Sequence, residues 1–565
     1  MRWPLRANYR AFYFLNATQF LGALNDNIFK LLVIYLLIHI KGPAAANSIL
    51  SIAGAIFVIP FLVFSSGAGV LADKISKRKI IVGSKVLELI VMLFGLGTVY
   101  FEFESGAYIA LFMMATQSAI FGPSKYGIIP ELVEPKMMSK ANGSMTSLTY
   151  LAIILGTFLA SFITDITDKN FIFEAGFCVL ISIIGLLISL GISRTEPKRS
   201  PKKINPFFFY EIYQTTKTAW QVPHLIPAIF GSSFFLLIGA FTQLNIIPFA
   251  MQSLHLSEVG GGYLFLATAV GIAIGAVLAG QISKDKVEPG ISCISGVFIP
   301  IFFFTLYFFS SSLICTIISL ALLGIVGGGF LIPFDSFIQV HSPDAKRGQI
   351  IAAANFFSFI GVLLAAFCLY VISEELGFSA ASGFALMGFL ALIANTVLIG
   401  RLSSLCFPFF VQKVLKRFRK IKLASSVPSS SSVVILQSNS WWDAILLYSC
   451  FPKLHLLVPT PFLRRFPWIN GFIDSIHIVP PNPATVSELE DLLDQLKKFK
   501  ANGNSLCLFF HQNKENAHII KTYKKVFEHL NYQIVFAHGI KEKIPKKFLF
   551  FPFIQKQITV SFKRN

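Results

Sequence analysis

The chain has 565 residues, of which 54% are hydrophobic and only 13% charged, with a mean hydropathy of +0.68. That composition excludes an ordinary soluble globular protein and points to an integral membrane protein. The formal net charge of +20 would suit nucleic acid, but the basic residues cluster in short segments between apolar runs, as the positive-inside rule requires, so they set topology and no nucleic-acid partner is expected.

The first apolar run, from Ala11 to about Ile40, is long enough to cross a bilayer as a helix and holds QFLGALNDNIFK at 19–30. Asn16, Gln19, Ala23, Asp26 and Lys30 recur at alternating steps of three and four, which places them on one helix face, with Asn25 and Asn27 flanking it. A charge near the middle of a membrane helix costs about 2.5–3.5 kcal/mol on insertion scales, so Asp26 and Lys30 should face a protein interior or a wet cavity. The alternative is an internal Asp26–Lys30 pair, four residues apart, that only permits burial.

Apolar runs at about 46–72, 80–101, 106–121, 142–164 and 171–193 bring the count to six. A polar segment follows at 193–203, and six more runs lie at about 224–250, 261–283, 290–309, 312–334, 349–373 and 379–400. The pattern predicts an all-α membrane domain, residues 1–403, of twelve transmembrane helices in two six-helix halves, about 1–193 and 220–403, joined by a basic loop at 194–219. The basic residues fall in alternate loops, which predicts cytoplasmic N- and C-termini. Next, LCFPFFVQKVLKRFRKIK reads as a surface-lying amphipathic helix and SSVPSSSS as a linker, together covering 404–432. From 433 to 565 short β-branched runs, such as VVILQ, SLCLFF, YQIVFA and QITVSF, alternate with helix-like segments, which predicts a small C-terminal α/β domain. The seven cysteines are scattered, no Cys or His spacing suits a metal, and there is no P-loop, so neither a metal nor a cofactor is expected.

GVLADKISKRK, at 69–79, sets a glycine, the acid Asp73 and the cations Lys74, Lys77, Arg78 and Lys79 between the second and third runs. It resembles the signature of the major facilitator superfamily, and a weaker echo, GQISKDK at 280–286, stands at the corresponding place in the second half. The resemblance implies a gating network of ion pairs that is made and broken as the halves rock, with Asp73, Arg78 and Arg347 as candidates. NDNIFK, FGPSKYGIIPEL at 121–132, ANG at 141–143 and IPFDSFIQVHSPDAKRGQIIAAANF at 332–356 together look like the lysophospholipid transporter branch, over residues 8–402. That resemblance implies a multi-pass protein of a bacterial inner membrane that flips lysophospholipids to the cytoplasmic leaflet. A lysolipid tail can stay in hydrocarbon, so only the charged head needs a polar path. Lys30 or Lys125 should meet its phosphate, and Asp26 an ammonium or a coupling cation. Lys85 and Glu88 form a second candidate pair. Gln19, Asn25, Asn27 and Gln339 complete the candidate lining, together with Asp335, which stands where that branch would carry a neutral amide. Gly122, Pro123, Gly127 and Pro130 are expected to shape a helix end and loop around Lys125.

From VVILQSNSWWDAILL onward the chain is similar to glycerolipid acyltransferases, through PFLRRFPWINGFIDSIHIVPPNP and SLCLFFHQNKEN in that order. Such enzymes use a His as the base that takes the acceptor's proton and an Asp five residues later that orients it. Asp443 holds the Asp position, but Ser438 stands in place of the His. Phe509, Phe510, His511 and Gln512 replace the expected Phe-Pro-Glu-Gly phosphate block. The resemblance therefore implies an inactive acyltransferase-like domain, and an acyltransferase or acyl-carrier-protein partner to re-acylate the lipid. Two other readings are a membrane-anchored lysophospholipid or glycerol-phosphate acyltransferase with a substitute base, and a major facilitator that exports another amphiphile.

Overall fold

The computed structural model describes residues 9–42, 46–196, 208–256, 258–283 and 286–409, and beyond them 421–423, 432–437, 454–459, 476–479, 494, 496–497, 505–510, 527, 533–538 and 558–564. It divides into two compact units, Met1–Thr396 and Val397–Asn565.

The first unit is all helical. Its elements are α1 (Tyr9–Lys41), α2 (Ala46–Lys74), α3 (Lys77–Tyr100), α4 (Glu104–Leu132), α5 (Met138–Ile166), α6 (Phe171–Ser189), α7 (Phe208–Trp220), α8 (Leu225–Leu254), α9 (Glu258–Ser283), α10 (Pro289–Phe308), α11 (Leu313–His341), α12 (Arg347–Tyr370) and α13 (Ala380–Arg401), the last running just past the boundary. Eleven helices among the described residues are long and apolar enough to cross a membrane, so this is a multi-pass membrane protein. Side chains such as Phe158, Ile314 and Phe367, 59–71% exposed, are what a helix presents to lipid.

α4 falls outside those eleven because polar and small residues such as Gln117, Ser118 and Gly122 dilute the hydropathy even of its uncharged stretch. It is 29 residues long and packs against α2 and α3. Its first residue, Glu104, pairs with Lys41 at the last residue of α1, and Glu131 in its last turn pairs with Lys77 at the first residue of α3, 2.7 Å apart. The sequence pattern ended this run near 121 and put Lys125 in a loop. Instead Pro123 and Pro130 lie inside the helix, and Lys125 sits on it. A proline inside a membrane helix is tolerated where neighbouring helices re-satisfy the freed backbone, and here Pro123, Ser124, Ile128 and Pro130 are all buried. Likewise α11 continues beyond 334 to His341. The segment read as a basic loop at 194–219 contains most of α7, whose buried Ile212 and Ala219 lie opposite exposed Tyr210, Tyr213 and Trp220.

The halves meet along α2 against α12 and α5 against α9. A Cβ on Gly69 would come 2.6 Å from the Ala352 Cβ, and one on Gly280 would come 2.8 Å from the Ser139 carbonyl oxygen. Only glycine lets these backbones approach so closely. The polar ties sit at the same end. The Asp73 carboxylate accepts from the Gly348 and Gln349 amides at 2.7 and 3.0 Å and from Gln349 Nε2 at 3.1 Å. Asn142 and Gln339 bond each other at 2.9 and 3.2 Å, and Asn142 also reaches Ser336 at 3.1 Å. The halves are thus joined at the end that carries the basic connections.

In the second unit α14 (Ser403–Phe409) precedes β1 (Ile421–Leu423), β2 (Ser432–Gln437), β3 (Leu454–Pro459), β4 (Ile476–Val479), β5 (Ser505–Phe510), β6 (Gln533–His538) and β7 (Ile558–Arg564). They form one sheet in the order β1-β7-β6-β2-β5-β3-β4, parallel except for the β6–β7 pair. Val433, Val434, Leu506, Cys507 and Leu508 on the central strands β2 and β5 are fully buried, as continuous apolar runs in a parallel sheet should be. Ile421 and Lys422, read from the sequence as the end of an amphipathic helix, belong with Leu423 to a strand because these three residues pair with Ile558–Val560. That partner lies far along the chain, where no local pattern reveals it.

Candidate functional site

α1 brings its polar face to the middle of the first unit. Gln19, Gly22, Ala23 and Asp26 line a cavity of about 230 Å³ together with Phe57 of α2, Lys85 and Glu88 of α3, and Gln117, Ser118, Phe121 and Lys125 of α4. Ser118 Oγ donates to Asp26 Oδ2 at 2.6 Å, while Asp26 Oδ1 has no hydrogen-bond partner among the described residues. Asp26 and Lys30 do not pair. The Lys30 ammonium lies 5.5 Å from the Phe57 ring centre, and the residue is not part of the cavity wall. Asn27 is likewise tied to its own helix through the Ala23 carbonyl at 2.7 Å.

Asn25 points to the other candidate pair. Lys85 Nζ lies 2.5 Å from Glu88 Oε2, and each residue is 1% exposed. Glu88 Oε1 accepts from Asn25 at 3.2 Å, and Gln117 Nε2 approaches Glu88 Oε2 at 3.5 Å. Both oxygens of Glu88 are therefore committed to the protein. Lys125 differs: its ammonium lies 5.0 Å from the Tyr126 ring centre and 5.6 Å from that of Phe121, and it makes no ion pair among the described residues. One cavity thus offers an uncommitted ammonium on α4 and an uncommitted carboxylate oxygen on α1.

A second cavity of about 230 Å³ adjoins the first, with Tyr126, Asn355 and Phe359 lining both. Asp335 lies on its wall and accepts from Ser232 at 2.7 Å, while Leu236, Leu331 and Ile338 make the wall partly apolar. Gln339 lines it too, next to its bonds with Asn142. Gln19 bonds Thr149, which ties α1 to α5 beside both cavities.

Of the three candidate gating residues, Asp73 alone bonds across the halves among the described residues. Arg78 donates to the carbonyls of Ile192 at 2.6 Å and Leu190 at 3.0 Å, within the first half. Arg347 donates to the Gln339 carbonyl at 2.8 Å and pairs with Asp344, within the second. No group of three or more metal-ligating side chains occurs among the described residues. Ser438, Asp443 and His511 lie outside the described residues. The strands that precede two of them are neighbours, with Gln437 opposite Phe510 in the parallel β2–β5 register.

Sequence reasoning missed Gln117, Ser118, Tyr126, Thr149, Tyr150, Ser232 and Asn355. For α4 a signal existed: Ser118, Phe121 and Lys125 follow the same three-then-four spacing that exposed the seam on α1.

Residues 15–366, more than half of the chain, match the Major Facilitator Superfamily. The chain belongs to that superfamily. Among curated relatives of this major facilitator, the lysophospholipid transporter LplT of Yersinia pestis (strain Pestoides F) is 26% identical over 350 residues, covering 60% of this chain and 80% of that protein. LplT of Yersinia pseudotuberculosis serotype IB (strain PB1/+) matches to the same degree. Among solved structures, a bacterial homologue of the iron transporter ferroportin in an outward-facing state aligns with a TM-score of 0.57 at 16% identity, covering 70% of this chain and all of that one. The major facilitator FucP in its outward conformation aligns with a TM-score of 0.58 at 13% identity, covering 70% of this chain and 99% of that one. These two likenesses concern the fold alone.

Proposed function

We propose that this major facilitator flips lysophospholipids across a bacterial inner membrane to the cytoplasmic leaflet, where a partner acyltransferase, or an enzyme fed by acyl-carrier protein, re-acylates them. The observation that carries the reading is the pairing, in one cavity, of the uncommitted Lys125 ammonium with the unpartnered Asp26 Oδ1. A phosphate needs the first and a headgroup ammonium the second. In low dielectric such opposite charges offset the hydration that the head gives up. The adjoining cavity, with Asp335, extends the polar path between the halves. Relatives called lysophospholipid transporters support the same substrate class.

In this reading α4 is the twelfth span, because its ends pair with the ends of α1 and α3. The basic connections and both termini are cytoplasmic, and Asp73 bonding to the start of α12 holds that side closed. The second unit is an acyltransferase-like α/β domain without its base. Ser438 and His511 directly follow adjacent parallel strands, where open α/β sheets place their sites.

The test is uptake of radiolabelled lysophosphatidylethanolamine into spheroplasts that lack their own transporter. Lys125→Ala is expected to lower uptake about ten- to a hundredfold, the worth of a charge-assisted hydrogen bond of roughly 1.5–3 kcal/mol. Full-rate uptake by normally inserted Lys125→Ala and Asp26→Asn proteins would refute the assignment. No lysolipid uptake, with export of another amphiphile, would favour a different cargo.

A further inference from the structure

A third cavity lies apart from the central site, at the end of the bundle opposite the basic connections. It has a volume of about 460 Å³ and is formed where α1 and α5 end and α6 begins, with Tyr35, His39, Ser161, Asp165, Lys169 and Phe171 in its wall. That volume falls within the roughly 300–1,000 Å³ of small-ligand sites.

The wall carries one acid and one base that leave each other alone. Asp165 and Lys169 are four residues apart, a spacing at which opposite charges on a continuous helix close into a pair. Here α5 stops at Ile166, and the chain turns through left-handed backbone at Asp168 (φ 51°) and Lys169 (φ 63°), with the Lys169 amide bonded to the Thr164 carbonyl at 2.8 Å. Non-glycine residues rarely take that conformation, and two in succession swing Lys169 off the helical line. Neither charge forms an ion pair among the described residues, although both are exposed and line one cavity. His39 stands beside them with its ring 5.7 Å from that of Phe171. The rest of the polar wall is organised: Tyr35 and Ser161 hydroxyls bond at 2.9 Å, and the Thr164 hydroxyl bonds buried Glu174 at 2.8 Å. The neighbouring Phe162 and Ile166 are 46% and 61% exposed, as lipid-facing side chains are.

We propose that this cavity binds the head of a zwitterionic glycerophospholipid, with the phosphate at Lys169 and His39, the ammonium at Asp165 and the acyl chain beside Phe162 and Ile166. A zwitterion satisfies both charges, a neutral head satisfies neither, and an anionic head meets Asp165 as repulsion. As a loading site for the transported lipid, the cavity rests on the transport reading above. As a lipid-binding site it does not.

The test places p-benzoyl-phenylalanine at position 166 of the full chain in nanodiscs and measures light-induced crosslinking to tritiated lysophosphatidylethanolamine. The double variant Asp165→Ala/Lys169→Ala should cut the crosslinking at least tenfold, Lys169→Arg should keep it, and Lys125→Ala should leave it unchanged. Competition by excess diacyl phosphatidylethanolamine assigns the site to any such lipid, and failure to compete assigns it to single-chain lipids. Either result supports the site, provided that the double variant loses the label. An unchanged yield in the double variant, or equal labelling by a monoacylglycerol, overturns the proposal. If uptake of lysolipid is absent while charge-dependent crosslinking persists, the transport reading falls and this site stands. If uptake is normal and crosslinking ignores the charges, the site alone falls.

Discussion

Glu88 and Lys125 show how two charged side chains in one cavity divide the work. Glu88 accepts from Lys85 and Asn25 and is approached by Gln117, so its charge is spent on holding α1, α3 and α4 in register. Removing one member of a buried pair leaves the other uncompensated, at a cost of about 3–5 kcal/mol, whereas replacing both by apolar groups is often neutral. Glu88→Ala should therefore lower the unfolding midpoint of the purified protein markedly, and Lys85→Met/Glu88→Leu should recover most of the loss. A Glu88→Ala protein that melts like the parent would show that the pair does not brace these helices. The sequence marked all four charges of that cavity, Asp26, Lys85, Glu88 and Lys125, because burial of any charge in a membrane is conspicuous. It could not divide them into spent and free, since that depends on neutral neighbours such as Ser118 and Gln117, which look ordinary in a sequence.

Among the elements, α4 and the crossing of α2 with α12 were the hardest to read in advance. Apolar runs gave ten helices to within four residues at each end, but α11 runs seven residues past its apolar run, and the end of α4 was hidden by Lys125, Glu131 and two prolines, all of which the surrounding helices accommodate. The α2–α12 contact was half visible, as Asp73 in its basic setting. Its partners, the amides of Gly348 and Gln349, are backbone groups that no side-chain pattern advertises. Asp73 acts there as an acceptor at the N-terminal end of another helix, where negative charge is favoured. Asp73→Asn weakens three bonds to that end, and losing a charged acceptor is worth roughly 1.5–3 kcal/mol. A cysteine at buried Ser336 should then label at least tenfold faster with a polar reagent added on the basic-loop side. Unchanged labelling would mean that the close helix contacts at Gly69 and Gly280 suffice to keep that end shut.

At the scale of the whole molecule the question is whether the second unit contributes chemistry to what the first unit moves. Four of its strands, β2, β5, β6 and β7, stand in the sequence as short β-branched runs, whereas β3 and β4 were not singled out and neither was β1, being three residues paired far along the chain. Acyl transfer needs a base to take the acceptor's proton, and on the proposed acyltransferase-like reading Ser438 stands where that base would be, in front of Asp443. Membranes containing the full chain should therefore show no acyl transfer to lysophosphatidylethanolamine from a thioester donor, while uptake in the same cells remains. On the same reading Ser438→His would restore the base and its five-residue spacing to Asp443, with His511 and Gln512 still in place of the acid and glycine of a phosphate block. Lysolipid should then be held too poorly for more than a trace of turnover. Turnover by the parent chain would make the enzyme reading correct. Robust turnover from Ser438→His alone would instead show that the phosphate site survives in another form, and that only the base has been lost.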